Sequence, residues 1–481
     1  MIDPVPATDL SRWGARDLVD GYRDRSISPV EATDAALTVI DRFQDTVNAF
    51  VLIDAEGARR SAAESEVRWQ HGRPLGPLDG VPVSIKDIFL TAGWPTLRGS
   101  SLIDPAGPWT EDAPAVARLR ESGAVFLGKT TTPEYAWKGV TDSPTFGATG
   151  NPWDARRHAG GSSGGSATAV GMGMGPISIG TDGGGSVRIP ASFTGTTALK
   201  PTYGLMPMYP PSPFGTLAHG GPMTRSVLDA AIMMDVLTGF DPRDWSAMPT
   251  PQPPFSQWAD GKELDAGVRG LSIAFSPALG YGRNDPHVDA AVRAAVAVFA
   301  EAGATITEID PGFTDPTAAF HVLWFAGAAK VLEGHEADFD RIDPGLRSVV
   351  EIGRNYSAAD YLDATAVRMA MGVTMGAFHT RYDLLLTPTM PIPAFDIERQ
   401  APAGSSSDLW TSWTPYTYPF NMTQQPALSV PCGFSDRLPV GLQIIGPRHA
   451  DRLVLRAGLV FQQRTDWHRR TPTLLTEPGA I

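Results

Sequence analysis

Two serine-bearing glycine clusters and one lysine in an apolar run are the residues of this sequence whose types and spacing suit chemistry. Ser162 and Ser163 lie in Gly160-Gly-Ser-Ser-Gly-Gly165, Ser186 in Gly180-Thr-Asp-Gly-Gly-Gly-Ser-Val-Arg-Ile-Pro190, and Lys86 in Val83-Ser-Ile-Lys-Asp-Ile-Phe89. A serine hydroxyl is a weak nucleophile until a neighbouring base takes its proton, and serine–lysine arrangements do this without histidine. Lysine acts as a base only when neutral. Burial among apolar neighbours disfavours the ammonium and lowers its pKa, the direction a base needs. The Asp87 carboxylate opposes that shift, a conflict that disappears if the segment is a strand, where adjacent side chains point to opposite faces.

Two better-known motifs also match and are rejected. Gly123-Ala-Val-Phe-Leu-Gly-Lys-Thr130 satisfies the phosphate-loop pattern, but its variable positions read as a buried strand and a helix-like segment precedes Gly123, the reverse of a strand leading into a loop of exposed amides. Gly-x-Ser-x-Gly occurs in two registers, centred on Ser162 or Ser163. A nucleophile elbow needs a strand before it and an acid and a histidine after it. The preceding Asn151-Pro-Trp-Asp-Ala-Arg-Arg-His158 reads as polar and turn-like. The histidines form no His-Glu-x-x-His pair, so no metal site is expected. Cys432, in Val-Pro-Cys-Gly beside an apolar run, reads as inert core.

The elements that must position these residues alternate between helix and strand. Ser28-Pro-Val-Glu31 is a capping box with proline at the first helical position, followed by apolar residues at helical spacing through Phe43. The first hundred residues are therefore helix-rich. From Leu78 onward the texture changes: an apolar run at 80–90, a short helix over 113–122 and a buried strand over 124–127. Strands follow at 271–275, 305–309, 383–388 and 427–432, with an amphipathic helix over 288–302; this alternation implies an α/β sheet. The stretch 242–266, rich in Pro, Asp, Gln and Trp, reads as an exposed connection.

Composition bounds the partners. With 481 residues, 42% hydrophobic and 19% charged, the chain can bury a large core, and its 50 glycines and 43 prolines stay below the roughly 25–30% of low-complexity chains. A net charge of −13 argues against nucleic acid as a partner. The single cysteine forbids an intrachain disulfide and fits a reducing compartment. The opening residues lack a basic region followed by an apolar one, so no secretory signal is expected there; no apolar stretch approaches the roughly 20 residues of a membrane span. The cytoplasm is the expected location.

With Lys86, Ser162 and the Gly-Gly-Ser-x-Arg around Ser186 taken together, the chain resembles the amidase signature family. The core of the resemblance runs from about 78 to 203. Leu386-Thr-Pro-Thr-Met-Pro391, Phe420-Asn-Met-Thr-Gln-Gln-Pro-Ala427 and Leu438-Pro-Val-Gly-Leu-Gln-Ile-Ile-Gly446 resemble the C-terminal part of the family. The resemblance implies one α/β domain over 1–481 with a central mixed sheet covered by helices on both faces. A helical and loop insertion is expected over about 204–380, with the rest of the sheet over about 381–470. It implies Ser186 as nucleophile, Ser162 as bridging serine after a cis peptide, and Lys86 as base. Gly183, Gly184, Gly185 and Ser186 would supply oxyanion-hole N–H groups, since glycines permit the close approach. Asp182 and Arg188 would brace the loop, Thr181 and Ser163 would support by hydrogen bonds, and no cofactor would be needed.

The expected substrate is a small amide, carbamate (urethane) or ester, apolar or aromatic in character, walled by 206–214, Trp137, Trp324 and Phe325. The expected state is monomer or homodimer. Alternatives are a glutaminase subunit of an amidotransferase and an α/β-hydrolase esterase using Ser163. Three departures from the family pattern stand out. Ile189 replaces the glutamine usual in amidotransferase subunits, Gly183 replaces a larger residue and is expected to loosen the loop, and Gln424 replaces glycine and is expected to intrude on the pocket.

Overall fold

The computed structural model describes residues 9–257 and 267–476. The first eight residues and the last part of the 242–266 connection lie outside them. In chain order the strands are β1 Phe50–Ile53, β2 Pro82–Lys86, β3 Val125–Thr130, the short β4 Asp142–Ser143, β5 Gly147–Ala148, β6 Gly150–Asn151 and β7 Asp154–His158, then β8 Ile177–Asp182, β9 Thr197–Lys200, β10 His219–Thr224, β11 Ser272–Phe275, β12 Thr305–Glu308, β13 Leu384–Pro388, β14 Ala427–Ser435 and β15 Leu438–Ile445. Eleven of them form one mixed sheet in the order β1-β3-β2-β8-β10-β9-β14-β15-β13-β11-β12. The 204–380 segment is more than an insertion of helices and loops, because β10, β11 and β12 come from it.

Single strands show why helices cover both faces. Leu384 and Leu386 of β13 join the apolar cluster of helices Val227–Leu237, Pro286–Glu301 and Asp451–Arg464. Leu385, between them, joins that of Thr317–Val331, Pro344–Gly353 and Ala358–Phe378. A strand buried on both faces reads as a continuous apolar run, which is how it is recognised in sequence. Helix ends obey local chemistry. In helix Pro29–Val47 the Ser28 hydroxyl accepts from the Glu31 amide at 3.2 Å while the Glu31 carboxylate accepts from the Ser28 amide at 2.8 Å. Removing such a cap costs about 1 kcal/mol.

Two local readings are settled by burial. Lys129 of the phosphate-loop match is fully buried in β3, donates to the Phe89 carbonyl and to Thr96 Oγ1, both at 2.8 Å, and pairs with Asp87 at 3.3 Å. Burial pushes its ammonium down to about 8, and the groups that hold it are a carbonyl, a hydroxyl and a carboxylate. Cys432 in β14 is 3% exposed, and desolvation pushes its thiol well above the ordinary range. Among the described residues no helix is long and apolar enough to cross a membrane.

Candidate active site

Lys86 is the last residue of β2, held level with β8 by the parallel register Val83↔Ile177, Ser84↔Ser178 and Ile85↔Ile179. Val83 and Ile85 enter the apolar cluster on one face, so Lys86 and Ser84 point to the other. There Lys86 is completely buried, and its Nζ lies 2.7 Å from Ser162 Oγ and 2.8 Å from Thr181 Oγ1. Desolvation drives its pKa well below the ordinary lysine value, and the charge that opposes the shift is that of Asp182. The anticipated conflict with Asp87 is absent because the strand ends at Lys86 and Asp87 turns to Lys129.

Ser162 follows a cis peptide from Gly161 and precedes helix Gly164–Met172. The polar segment before it turns at 152–153, as its composition suggests, and then forms a strand, β7, paired with β6 across that turn. Its main chain is hydrogen-bonded on a second side as well, with His158 N–H donating to the Phe395 carbonyl and Ile397 N–H to the Arg156 carbonyl, both at 2.9 Å. Its polar residues are tolerated because Arg156 reaches solvent and pairs with Asp154. A strand, a serine and a helix do therefore follow one another, but the elbow reading fails on other grounds. Ser163 is buried, its Oγ donates to the Thr181 carbonyl at 3.2 Å, and among the described residues no histidine lines the cavity that holds Ser162 and Ser186.

Ser186 sits in the loop between β8 and helix Arg188–Thr194. Asp182 and Arg188, both fully buried, make a two-pronged pair at 2.9 Å on each prong. Burial alone would raise the Asp182 pKa; the Arg188 charge and hydrogen bonds overcome it and hold the carboxyl below the usual range. Arg188 spends all five N–H donors on protein acceptors, the others going to the Thr417 carbonyl at 2.9 Å, Gln443 Oε1 at 2.7 Å and Asn421 Oδ1 at 2.7 Å. Asn421 also donates to Asp182 Oδ1 at 2.8 Å, and Thr417 to the Gly184 carbonyl at 2.7 Å. Thr417, Asn421 and Gln443 escaped the sequence reading as site residues. The signal available was a lone polar residue between Leu442 and Ile444 in an otherwise apolar strand.

Of the four N–H groups expected to receive an oxyanion, one is already engaged by the protein. The Gly185 N–H donates to Asp182 Oδ1 at 2.8 Å and is committed there, which leaves the N–H groups of Gly183, Gly184 and Ser186. Ser162 and Ser186 line one cavity without a direct hydrogen bond between their hydroxyls; such contacts tighten when substrate binds. Of the expected walls, Trp324 and residues 208–214 line the cavity, while Trp137 and Phe325 do not. Gln424 does not intrude. Its backbone takes the left-handed φ of 61° and its side chain reaches toward the Thr216 carbonyl, in a groove apart from Ser186.

Gly183 is not loose: a Cβ there would lie 2.7 Å from Trp324 Cζ3, and at Gly184 2.5 Å from Trp410 Cη2. The Trp324 indole, stacked on Phe214 at 4.0 Å and anchored by its N–H to the Trp137 carbonyl at 3.0 Å, occupies the space a side chain would take. Gly183→Ala is expected to displace that indole at a cost of about 1–3 kcal/mol and to raise KM for apolar amides. Thermal melts and steady-state kinetics check both parts.

The cavity measures about 160 Å³, close to the roughly 150 Å³ that admits a benzene ring. Among the described residues no group of acidic, histidine or cysteine side chains is arranged to hold a metal ion. An Amidase family model matches residues 31–455. The chain is 36% identical over 474 residues to an acylamidase of Rhodococcus erythropolis, covering 96% of this chain and 98% of that one. It is also 36% identical over 485 residues to the glutamyl-tRNA(Gln) amidotransferase A subunit of Chloroflexus aggregans, covering 93% and 95%. Among solved structures, a bacterial aryl acylamidase of the amidase signature enzymes superposes with a TM-score of 0.87 at 30% identity, covering 95% of this chain and 97% of that one. A 6-aminohexanoate cyclic dimer hydrolase complexed with substrate superposes with a TM-score of 0.87 at 28% identity, covering 97% and 99%.

Proposed function

The chain belongs to the amidase signature family and is a serine amidase; from that premise we propose that it hydrolyses small amides with an apolar or aromatic portion through a Ser186–Ser162–Lys86 relay, and that carbamates and esters are also substrates. The observation that carries the relay is the buried Lys86 amine, 2.7 Å from Ser162 Oγ and shifted by desolvation toward its neutral form. Neutral Lys86 takes the Ser162 proton as Ser162 takes that of Ser186, and the Ser186 oxygen adds to the substrate carbonyl. The resulting oxyanion accepts from the N–H groups of Gly183, Gly184 and Ser186; one such donor is worth about 10²–10³ in turnover. Ser162 returns a proton to the leaving amine, and water releases the acyl group by the reverse steps.

The substrate class rests on the cavity, whose size suits one ring or a short acyl chain and whose walls include Trp324, Phe214, Pro210, Pro211 and Pro213. A second reading, the glutaminase subunit of an amidotransferase, is favoured by the identity to amidotransferase A subunits. Against it, among the described residues no carboxylate lines the cavity to receive the α-ammonium of glutamine. The test is release of 4-nitroaniline and 4-nitrophenol from acyl anilides, carbamates and esters, with glutamine run alongside. A slow ester is then used to trap the acyl-enzyme, and its label is mapped by mass spectrometry. Turnover of anilides with the label on Ser186 is expected. Glutamine as the sole substrate would favour the second reading, and a label on Ser163 would sink the relay.

A further inference from the structure

Among the described residues, Arg98 is the only side chain lining the cavity with Ser162 and Ser186 that bears a formal charge. Among the described residues its guanidinium makes no ion pair and no hydrogen bond, whereas every donor of Arg188 is bonded to protein. A partly exposed cation at the wall of this cavity, with its donors unspent on protein, is open to a charge-assisted contact with a group from outside the chain.

The backbone aims this side chain at a cost. Arg98 has φ 53°, in the left-handed region that disfavours a residue with a Cβ by roughly 1–2 kcal/mol. Tyr135 and Ala136, which line the same cavity, have φ 49° and 59°. The two segments lock together: Tyr135 N–H donates to the Arg98 carbonyl at 2.7 Å, and Ser100 Oγ to Glu134 at 2.6 Å. A Cβ on the next residue, Gly99, would lie 2.6 Å from the Thr132 carbonyl oxygen, so the chain at Arg98 has no room to relax. Consecutive strained residues lining one cavity mark a place where geometry serves binding.

We propose that Arg98 is a specificity residue that receives a carboxylate of the substrate, so that the preferred amides carry one anionic group on an otherwise apolar frame. A guanidinium suits a planar carboxylate because two parallel N–H groups match its two oxygens. This deepens the amidase reading and rests on it.

Three substrates test it and locate the acid: butyryl-4-nitroanilide as neutral reference, glutaryl-4-nitroanilide with the carboxylate on the acyl side, and the butyramide of 4-aminobenzoate with it on the amine side. One of the two acids is expected to exceed the neutral amide in kcat/KM by about 10- to 100-fold. The preference should shrink with added salt, survive in part in Arg98→Lys and vanish in Arg98→Met. Arg98→Gly, which suits the left-handed backbone, should lose the preference while melting no lower than the wild type. A wild type that prefers the neutral amide, or a ratio unchanged in Arg98→Met, overturns the proposal while leaving the amidase reading intact. If none of the three amides is turned over, the amidase reading is what fails. Calorimetric binding of glutarate and 4-aminobenzoate then reads Arg98 by itself: weaker binding to Arg98→Met is expected, and equal binding overturns the proposal.

Discussion

Ser186→Ala is expected to lower kcat for an anilide by up to about 10⁶-fold, the scale on which nucleophile removal acts in serine hydrolases, with far-ultraviolet circular dichroism unchanged. Ser186 lines the cavity and among the described residues its hydroxyl has no hydrogen-bond partner in the protein, so its loss leaves no buried partner unsatisfied. Lys86→Met belongs to the same experiment and is expected to cost about 10⁴-fold, the upper range of a general base. It also separates function from stability. Burial lowers the Lys86 pKa in the folded chain, while the unfolded chain keeps a value near 10.4. Between the two, unfolding takes up a proton, so this residue works against stability at neutral pH and stability gained from it rises with pH. Lys86→Met should therefore melt no lower than the wild type while being nearly inactive. For the wild type, kcat/KM should fall on the acid side as Lys86 protonates, with a midpoint below the ordinary lysine range. A pH profile of Lys86→Met that kept this limb would show that another group carries it.

Arg188→Met is the largest expected effect on folding, about 3–5 kcal/mol at neutral pH, because it strips the buried Asp182 carboxylate of the counter-charge bonded to it. The sign of its pH dependence follows from the depressed folded-state pKa of Asp182. In the wild type the pair contributes fully above the unfolded carboxylate value near 3.9 and is lost only as pH falls from there toward the lower folded value. In Arg188→Met the stranded carboxyl is relieved by taking a proton, so the gap between variant and wild type should narrow as the pH is lowered. Urea unfolding at several pH values measures this, and Asp182→Asn combined with Arg188→Met should recover part of the loss. Activity should fall with stability, since Gly185 N–H and Asn421 both hang on Asp182. A variant as stable as wild type would remove the brace from the account of the loop.

What is legible in the sequence is whatever depends on neighbours in the chain. The capping box at Ser28 and Glu31, the apolar runs that form β2, β13 and β14, and the amphipathic helix beginning near Val288 all follow from short-range periodicity and turn chemistry. The misreadings also have local causes. Residues 151–158 read as a turn because the local hairpin they form does turn at 152–153; what composition does not show is the pairing of 154–158 with 150–151 and their further contact with 395–397, which is remote in sequence. Gln424 reads as an intruder because sequence does not say which way a left-handed residue sends its side chain.

The amino-acid order by itself determined the kind of chemistry available here: two serines in glycine clusters, a lysine with apolar flanks and an acid and an arginine beside the second serine, a set specific enough to resemble one family. Tertiary structure alone decided that Lys86 is dry and within 2.7 Å of Ser162, that Gly185 is spent on Asp182 while its neighbours are not, that Trp324 fills the room above Gly183, and that Arg98 stands unpaired in the cavity. The physical reason is range. Propensity and periodicity act over a few residues, whereas desolvation, ion pairing and the register of strands distant in sequence depend on what the rest of the chain brings to cover them.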